Sequence, residues 1–441
     1  MRSLWRVCLL LAGVVVLGTM TASIAWAAGV VGDGTPASCD GNAVQAALNG
    51  GGMVTFNCGT NPHTINANTY VIEDNTTILG GDSITLNGEN LRQIFIVNEN
   101  VTLNLQDITL LDGEFSSGGC IYVFPAATLT TQNVTFRSCR DTSTTLGGGA
   151  VHNLGTFTAV DTRFENNQAV NDGGAIFNRG RFTTYFATFD SNNAADNSGA
   201  IDNDENGVVE INDSIFINNQ ATDLGGAITN LLSFPTTTGS FLVRRSLFIN
   251  NSAGTFGGAV NNGIGSMTIE NSTFTGNSAD QGGGVFSDGN ANTTVRASTF
   301  VGNRANTAGA LYRNLISTVT LSQSILAGSR DLANTFDQLE CDGPAVTSGG
   351  HNIIEDGSCV DGGDPTDQRN TAPQLGPLQD NGGFSMTFMP DATSPALDKI
   401  ESAQCLSPDQ RRALRVGAFC DIGAVERGGL FNSSFLPLLS K

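Results

Sequence analysis

Lysine is nearly missing. The 441-residue chain has two, Lys399 and Lys441, and its 41 Asp and Glu outnumber 21 Lys and Arg to give a formal net charge of −20. Such a chain repels polyphosphates instead of neutralising them, which argues against nucleic acid and other anionic polymers as partners. Tryptophan is confined to Trp5 and Trp26, both within the first 27 residues; tyrosine numbers four and phenylalanine 25. Rings that grip sugars usually keep one polar edge in water, and an aromatic content that is almost all Phe belongs inside instead. The three histidines, His63, His152 and His351, do not cluster with cysteine, and no C-x-x-C occurs, so zinc has no evident ligand set. After residue 27 no apolar run approaches the ~20 residues that a membrane-crossing helix requires.

The first 27 residues have the form of an export signal. Arg2 and Arg6 precede the apolar "VCLLLAGVVVLG", and "SIAWA" ends on the small-residue pattern Ala25-Trp26-Ala27. Export predicts an extracellular or cell-surface protein with no transmembrane segment. Cys8 leaves with the signal. Eight cysteines remain: Cys39, Cys58, Cys120, Cys139, Cys341, Cys359, Cys405 and Cys420. An even count in an oxidising compartment predicts disulfides. Clustering into four near pairs suggests nearest-neighbour bridges, although eight cysteines allow 105 connectivities.

What is abundant is a repeat. Phe136, Phe164, Phe189, Phe216, Phe248, Phe274 and Phe300 recur at spacings of 28, 25, 27, 32, 26 and 26. Three residues after the Phe stand Asn167, Asn192, Asn219, Asn251, Asn277 and Asn303, and two residues further a run of Ala. A second line follows: "GGAVHN", "GGAIFN", "SGAIDN", "GGAITN", "GGAVNN", "GGGVFS" and "AGALYR". Segments such as "TIENSTFTGN" alternate apolar and polar residues at period two, and Asn, Gly, Asp and Ser punctuate every five to eight residues. A mid-twenties period of short strands and tight turns predicts an all-β, single-stranded right-handed parallel β-helix, about ten coils long, with coils ~4.8 Å apart. The stacked Phe would fill the bore. Asn would form a ladder at a corner in the left-handed conformation, and Ala and Gly would sit where the coil bends. "NAVQAALN" (42–49) predicts a helix capping the open end. The 32-residue spacing marks an insertion at 231–239. The expected organisation is signal peptide 1–27, cap 28–52, β-helix 53–330, a β-rich C-terminal domain 331–427 and a tail 428–441.

These residues carry a resemblance. The cap helix, "GGGMVTFNCG", "NTTILGG" and the F-x-x-N-x-A/GGA coils resemble secreted bacterial right-handed β-helix proteins of the pectate-lyase-like superfamily, with repeats similar to those of polymorphic outer-membrane proteins. "CDGPAVTSGGHNII" (341–354), "APQLGPLQDNGG" (372–383), "TSPALD" (393–398), "DQR" (409–411) and "CDIGAVE" (420–426) resemble the C-terminal domain called choice-of-anchor Q. Two departures stand in that stretch: Lys399-Ile400 where the family has a Gly after SPA-x-D, and Arg412 where it continues DQRG. The resemblance implies a surface-associated protein and no particular reaction. The tail "RGGLFNSSFLPLLSK" fits either a sorting segment or a packed strand.

Chemistry is harder to find. Glycoside hydrolysis needs two carboxylates facing one cleft. The polygalacturonase-like set of N-T-D, D-D, G-H-G and R-x-K is missing, and both lysines lie outside the coils. Arg244-Arg245 beside the insertion reads as two solvent-facing charges. Calcium is the one cofactor to weigh. Asp202, Asp204 and Glu205 in "DNDENG" offer several hard oxygens, as do Glu355, Asp356, Asp361, Asp364 and Asp367 in "EDGSCVDGGDPTDQ", but neither follows a known calcium loop. The sequence therefore predicts no catalytic residue. It predicts a non-catalytic, adhesin-like or structural surface protein. Its long side face would bind a surface polysaccharide or another cell-surface protein, with a polysaccharide lyase or glycoside hydrolase as the alternative.

Overall fold

The computed structural model describes residues 27–231, 240–360 and 363–431. The expected signal before residue 27, residues 232–239 of the insertion, Asp361, and the tail beyond 431 lie outside the described residues.

One coil shows how the sequence builds the rest. Ser266–Glu270 sends Met267 and Ile269 inward and leaves Thr268 facing outward. Asn271, at φ 46°, turns the chain, and Thr273–Thr275 buries Phe274. Gly276, at φ 66°, turns it again and Ser278–Gln281 follows; Gly282, at φ 65°, turns it into Val285–Ser287. Each strand then pairs in parallel with its counterpart one coil on, so that Phe274 lies opposite Phe300 and Val285 opposite Leu311. The first two strands of every coil share a 23-stranded sheet; the third strands form an 8-stranded sheet and the fourth an 11-stranded one. The result is a parallel β-solenoid of about 12 turns.

Ten coils were expected. The additional turns are irregular ones at the ends, where the Phe period is absent. Ala27–Val31 pairs with Gly52–Phe56 at the start. At the far end Cys341–Asp342, Thr347–Ser348, Ile353–Ile354 and Gln368–Arg369 all continue the sheets, so coiling runs past 330 to residue 369. The predicted helix is Gly41–Leu48, with the Asp40 carboxylate accepting from the Ala43 amide at its N-cap. Its buried Val44, Ala47 and Leu48 join the bore of the solenoid.

Inside, like residues stack on like. Adjacent Phe rings from Phe136 to Phe300 lie 4.6–5.0 Å apart and within 4° of parallel. Beside them runs the asparagine ladder. Asn219 Nδ2 donates to Asn251 Oδ1 at 2.9 Å and to the Phe189 carbonyl at 2.9 Å, and its backbone amide donates to the same Oδ1 at 3.0 Å. The pattern repeats through Asn167, Asn192, Asn251, Asn277 and Asn303. The expectation that these Asn occupy the left-handed corner is corrected by one residue. The positive-φ positions are Asn166, Ser191, Asn218, Asn250, Gly276 and Gly302. Turning at the preceding residue leaves the ladder side chain free to point into the bore.

The four bridges join Cys39–Cys58, Cys120–Cys139, Cys341–Cys359 and Cys405–Cys420. Cys139 stands three residues after Phe136, in the place of the ladder Asn, and its amide donates to Asn167 Oδ1 at 2.9 Å.

Beyond residue 371 the chain leaves the coil and runs back along its flank. It forms three short antiparallel pairs: Leu375–Gln379 with Thr387–Pro390, Ile400–Glu401 with Phe419–Cys420, and Ala413–Leu414 with Leu430–Phe431. Ala396, Ile400, Cys420 and Ile422 pack onto Ile325 and Ile353 of the last coils as a second, smaller core. We refer to residues 372–431 as the strap.

Candidate binding groove

The strap follows one corner of the solenoid, the corner that carries Phe186, Asp213, Arg245, Asn271, Ala297 and Gln323, all at positive φ. Buried Asp213 is the anchor. It accepts from Arg245 Nε and one terminal nitrogen at 2.9 and 2.8 Å, and from Arg412 Nε and one terminal nitrogen at 2.8 Å each. Burial alone would raise the Asp213 carboxyl, but the two guanidinium forks outweigh it and hold the group below its ordinary value. Arg245 is thus committed to Asp213, which it shares with Arg412 of the strap, and is not the solvent-facing charge that the sequence suggested. Arg244 is the outward one, bonding Glu270 at 3.0 Å. Arg412 also lies over the Phe186 ring, 4.6 Å from its centre, and Phe384 meets Phe186 edge-on at 5.4 Å. Further along, Asn271 Nδ2 donates to the Pro408 carbonyl, Thr273 Oγ1 donates to Gln410 Oε1, and the Ala424 amide donates to Thr299 Oγ1.

Between strap and solenoid remains a groove of about 450 Å³. Its floor is formed by the outward side chains of two neighbouring coils: Ile215 and Ile217 beside Leu247 and Ile249. Phe384, Ser385 and Met386 form the wall; Asp380 and Arg163 also line it. An apolar floor with few polar groups suits an apolar side chain or small ligand more than a sugar.

The motifs that resemble the anchor domain serve this packing. Arg411 is buried, bonding Asp409 Oδ2 at 2.8 and 3.0 Å and the Glu426 carbonyl at 2.6 Å. The amides of Asp398 and Arg427 donate to Asp421, and the Asp421 amide to Glu426. Burial raises the Glu426 carboxyl to about 7, helped by the Asp421 charge and opposed by the hydrogen bond from the Asp421 amide and by Arg415. His351 takes φ 56° and its amide donates to Thr366 Oγ1, and Asn352 Oδ1 accepts from the Ser324 amide. Neither arrangement is that of an acid or a base facing a cleft.

The calcium candidates do not come together. Asp202 is buried and accepts from Ser198 Oγ at 2.8 Å; burial and nearby Asp172 push its carboxyl well above the ordinary value. Asp204 and Glu205 point to Arg179, at 2.7 and 3.1 Å. In the second stretch Asp356 caps Ser358, Asp364 caps Thr366, Asp367 accepts from Asn352, and Glu355 accepts from the Gly328 amide. Among the described residues no three His, Cys, Asp or Glu side chains are placed to hold a metal ion. Nor is any helix among them long and apolar enough to cross a membrane.

Two further ladders escaped the sequence analysis. The Asn that ends each "GGA" phrase forms one, Asn153 to Asn178, Asn203, Asn230 and Asn262, with Nδ2 to Oδ1 distances of 2.7–2.8 Å. Serines two residues before Phe216, Phe248, Phe274 and Phe300 form the other: the amides of Ser214, Ser246, Ser272 and Ser298 donate to the next serine Oγ at 3.1–3.2 Å. Both were visible as columns at the repeat period. Serine drew no notice because Ser and Thr are common throughout.

Comparison with known proteins gives one family match. The Chlamydia polymorphic membrane protein repeat matches residues 161–179, 213–230 and 271–288. Each match runs from a positive-φ corner at Asp161, Asp213 or Asn271 through a bore Phe and a ladder Asn to the "GGA" line. No curated protein and no solved structure matches the chain.

Proposed function

We propose that this is an exported, surface-exposed β-helix protein without catalytic activity, structural or adhesin-like, displaying a long side face to a surface polysaccharide or another cell-surface protein. The observation that carries the proposal is where the polar repeat residues go. The Asn of both ladders and the Ser column are buried and bonded to one another, which leaves these repeated columns no donor or acceptor to offer a substrate. Outward carboxylates are engaged as well: Glu165 with Arg137, Glu270 and Glu210 with Arg244. The repeat match supports a surface setting, since the matched family is named for membrane proteins. On this proposal residues 1–27 are the export signal. The β-helix is of the pectate-lyase-like type, and residues 331–427 act as the choice-of-anchor Q-type unit, finishing the coil and then strapping it.

Labelling of intact cells with an antibody to the exposed Leu315-Ile316 turn tests the surface setting. Signal without permeabilisation is expected; signal only after permeabilisation contradicts it.

A further inference from the structure

The groove beside the strap is continuous with an interface the chain already makes with itself. The Phe186–Phe384 contact and the Asp213 fork adjoin the coil that supplies Ile215 and Ile217, and the strap residues Phe384 to Met386 form the wall. Four outward apolar side chains on adjacent coils, Ile215, Ile217, Leu247 and Ile249, cluster on outward rows made mostly of Thr, Ser, Asn and charged residues. The described chain leaves the strap at this place. Leu430–Phe431 pairs with Ala413–Leu414, and the Phe431 ring lies so close to Gly382 that a side chain there would meet it at 2.8 Å. Gly383, the next residue, lines the groove. Ten residues follow Phe431, and they include the apolar run Phe435-Leu436-Pro437-Leu438-Leu439. Ten extended residues reach at most ~33–36 Å, far more than a groove a few residues away demands.

We propose that the groove is the binding site of the chain's own C-terminal segment, with Phe435 to Leu439 as its occupant. The run is apolar where the floor is apolar, and it carries no charge that the floor would have to bury. Covering the half-buried Ile215, Ile217 and Ile249 removes this apolar patch from water beside the already buried Leu247. Pro437 lacks an amide and cannot donate to a ladder, so side-chain burial rather than strand addition holds the segment. The occupancy is independent of what the long side face binds.

A photo-reactive phenylalanine analogue at Leu438 in the full chain tests this. Irradiation followed by peptide mapping is expected to join residue 438 to residues 215–217, 247–249 or 384–386 of the same chain. Ile217→Asp on the floor and Met386→Asp on the wall should each reduce that product at least tenfold, with circular dichroism unchanged. Met386 is already partly exposed, so its variant keeps the test open should Ile217→Asp fail to fold. Groove products found only between two chains show that a second copy supplies the occupant, and they overturn the proposal. So do products that map elsewhere, or groove products that both variants leave intact.

Discussion

At the scale of the residue, the asparagine ladder is a problem in satisfying buried amides. Asn219 offers two Nδ2 hydrogens and an Oδ1, and each of these is used by the coil before or after it. Asn219→Ala would take the acceptor from the amide and Nδ2 of Asn192 and the Nδ2 donor from Asn251 Oδ1 and the Phe189 carbonyl, leaving only the backbone amide on Asn251 Oδ1. Orphaned buried groups cost ~1–3 kcal/mol each, so the variant should lose about 2–4 kcal/mol in equilibrium unfolding; a loss below 1 kcal/mol would contradict the ladder. Sequence made this column legible because Asn recurs in register with Phe. It did not show which residue turns the corner, since Asn166 and Asn167 are alike in type and differ only in φ.

Glu340 shows what happens where a column ends. It takes the place that Ala310 holds one coil earlier, accepting at its carbonyl the position's own inter-coil bonds from Ala310 and Leu311 through its backbone. Its carboxylate accepts from Ser329, amide and Oγ, at 2.9 and 2.6 Å, where Ser329 stands in the ladder column after Asn303. Burial raises this carboxyl to about 8, against hydrogen bonds from Ser329 that lower it. A raised acid favours the folded state most while it is protonated. Its contribution is complete below the ordinary value of 4.5 and is lost as the pH rises through about 8. Glu340→Gln keeps the acceptor and removes the charge, so it should melt higher than the parent at pH 8.5 and equally at pH 4. An equal gain at both pH values would show that titration is not the cause.

At the scale of the element, the limiting feature is how closely coils approach at the "GGA" corner. A side chain on Gly226 would stand 2.0 Å from the Gly258 carbonyl oxygen, and Gly149, Gly174, Gly199 and Gly258 meet the next coil's glycine in the same way. Backbone cannot yield as a side-chain tip can. Gly226→Ala should therefore cost about 2–4 kcal/mol by chemical denaturation. Gly302→Asn is the contrast: it sits in a positive-φ column that already carries Asn166, Asn218 and Asn250, with open space beside it, and should be near neutral. Near-equal effects of the two substitutions would contradict this account of the corner. The periodic glycine was readable as a bend. The distinction between a glycine needed for close approach and one needed for φ was not, because both appear simply as Gly in the repeat.

At the scale of the whole molecule, the coils were legible and the strap was not. A solenoid repeats its contacts every mid-twenties residues, so each column is printed several times in the chain. The strap's contacts occur once, at separations such as the 199 residues between Asp213 and Arg412, and no period announces them. The motifs from "APQLGPLQDNGG" to "CDIGAVE" were recognisable as a unit, but nothing in them says that Gln410 meets Thr273 or that Ala424 meets Thr299. The same limit applies to chemistry. Asp202 and Asp204 are two residues apart in sequence, yet one turns into a buried layer and the other to Arg179.

The central claim is that the polar repeat serves the fold and that the protein binds without turning over what it binds. Incubating the full chain with a panel of acidic and neutral polysaccharides, with and without calcium, and counting new reducing ends and unsaturated products tests it most directly. The account predicts product at the level of the protein-free control throughout; calcium-dependent or calcium-independent turnover of any one polymer, lost on heat denaturation, would contradict it.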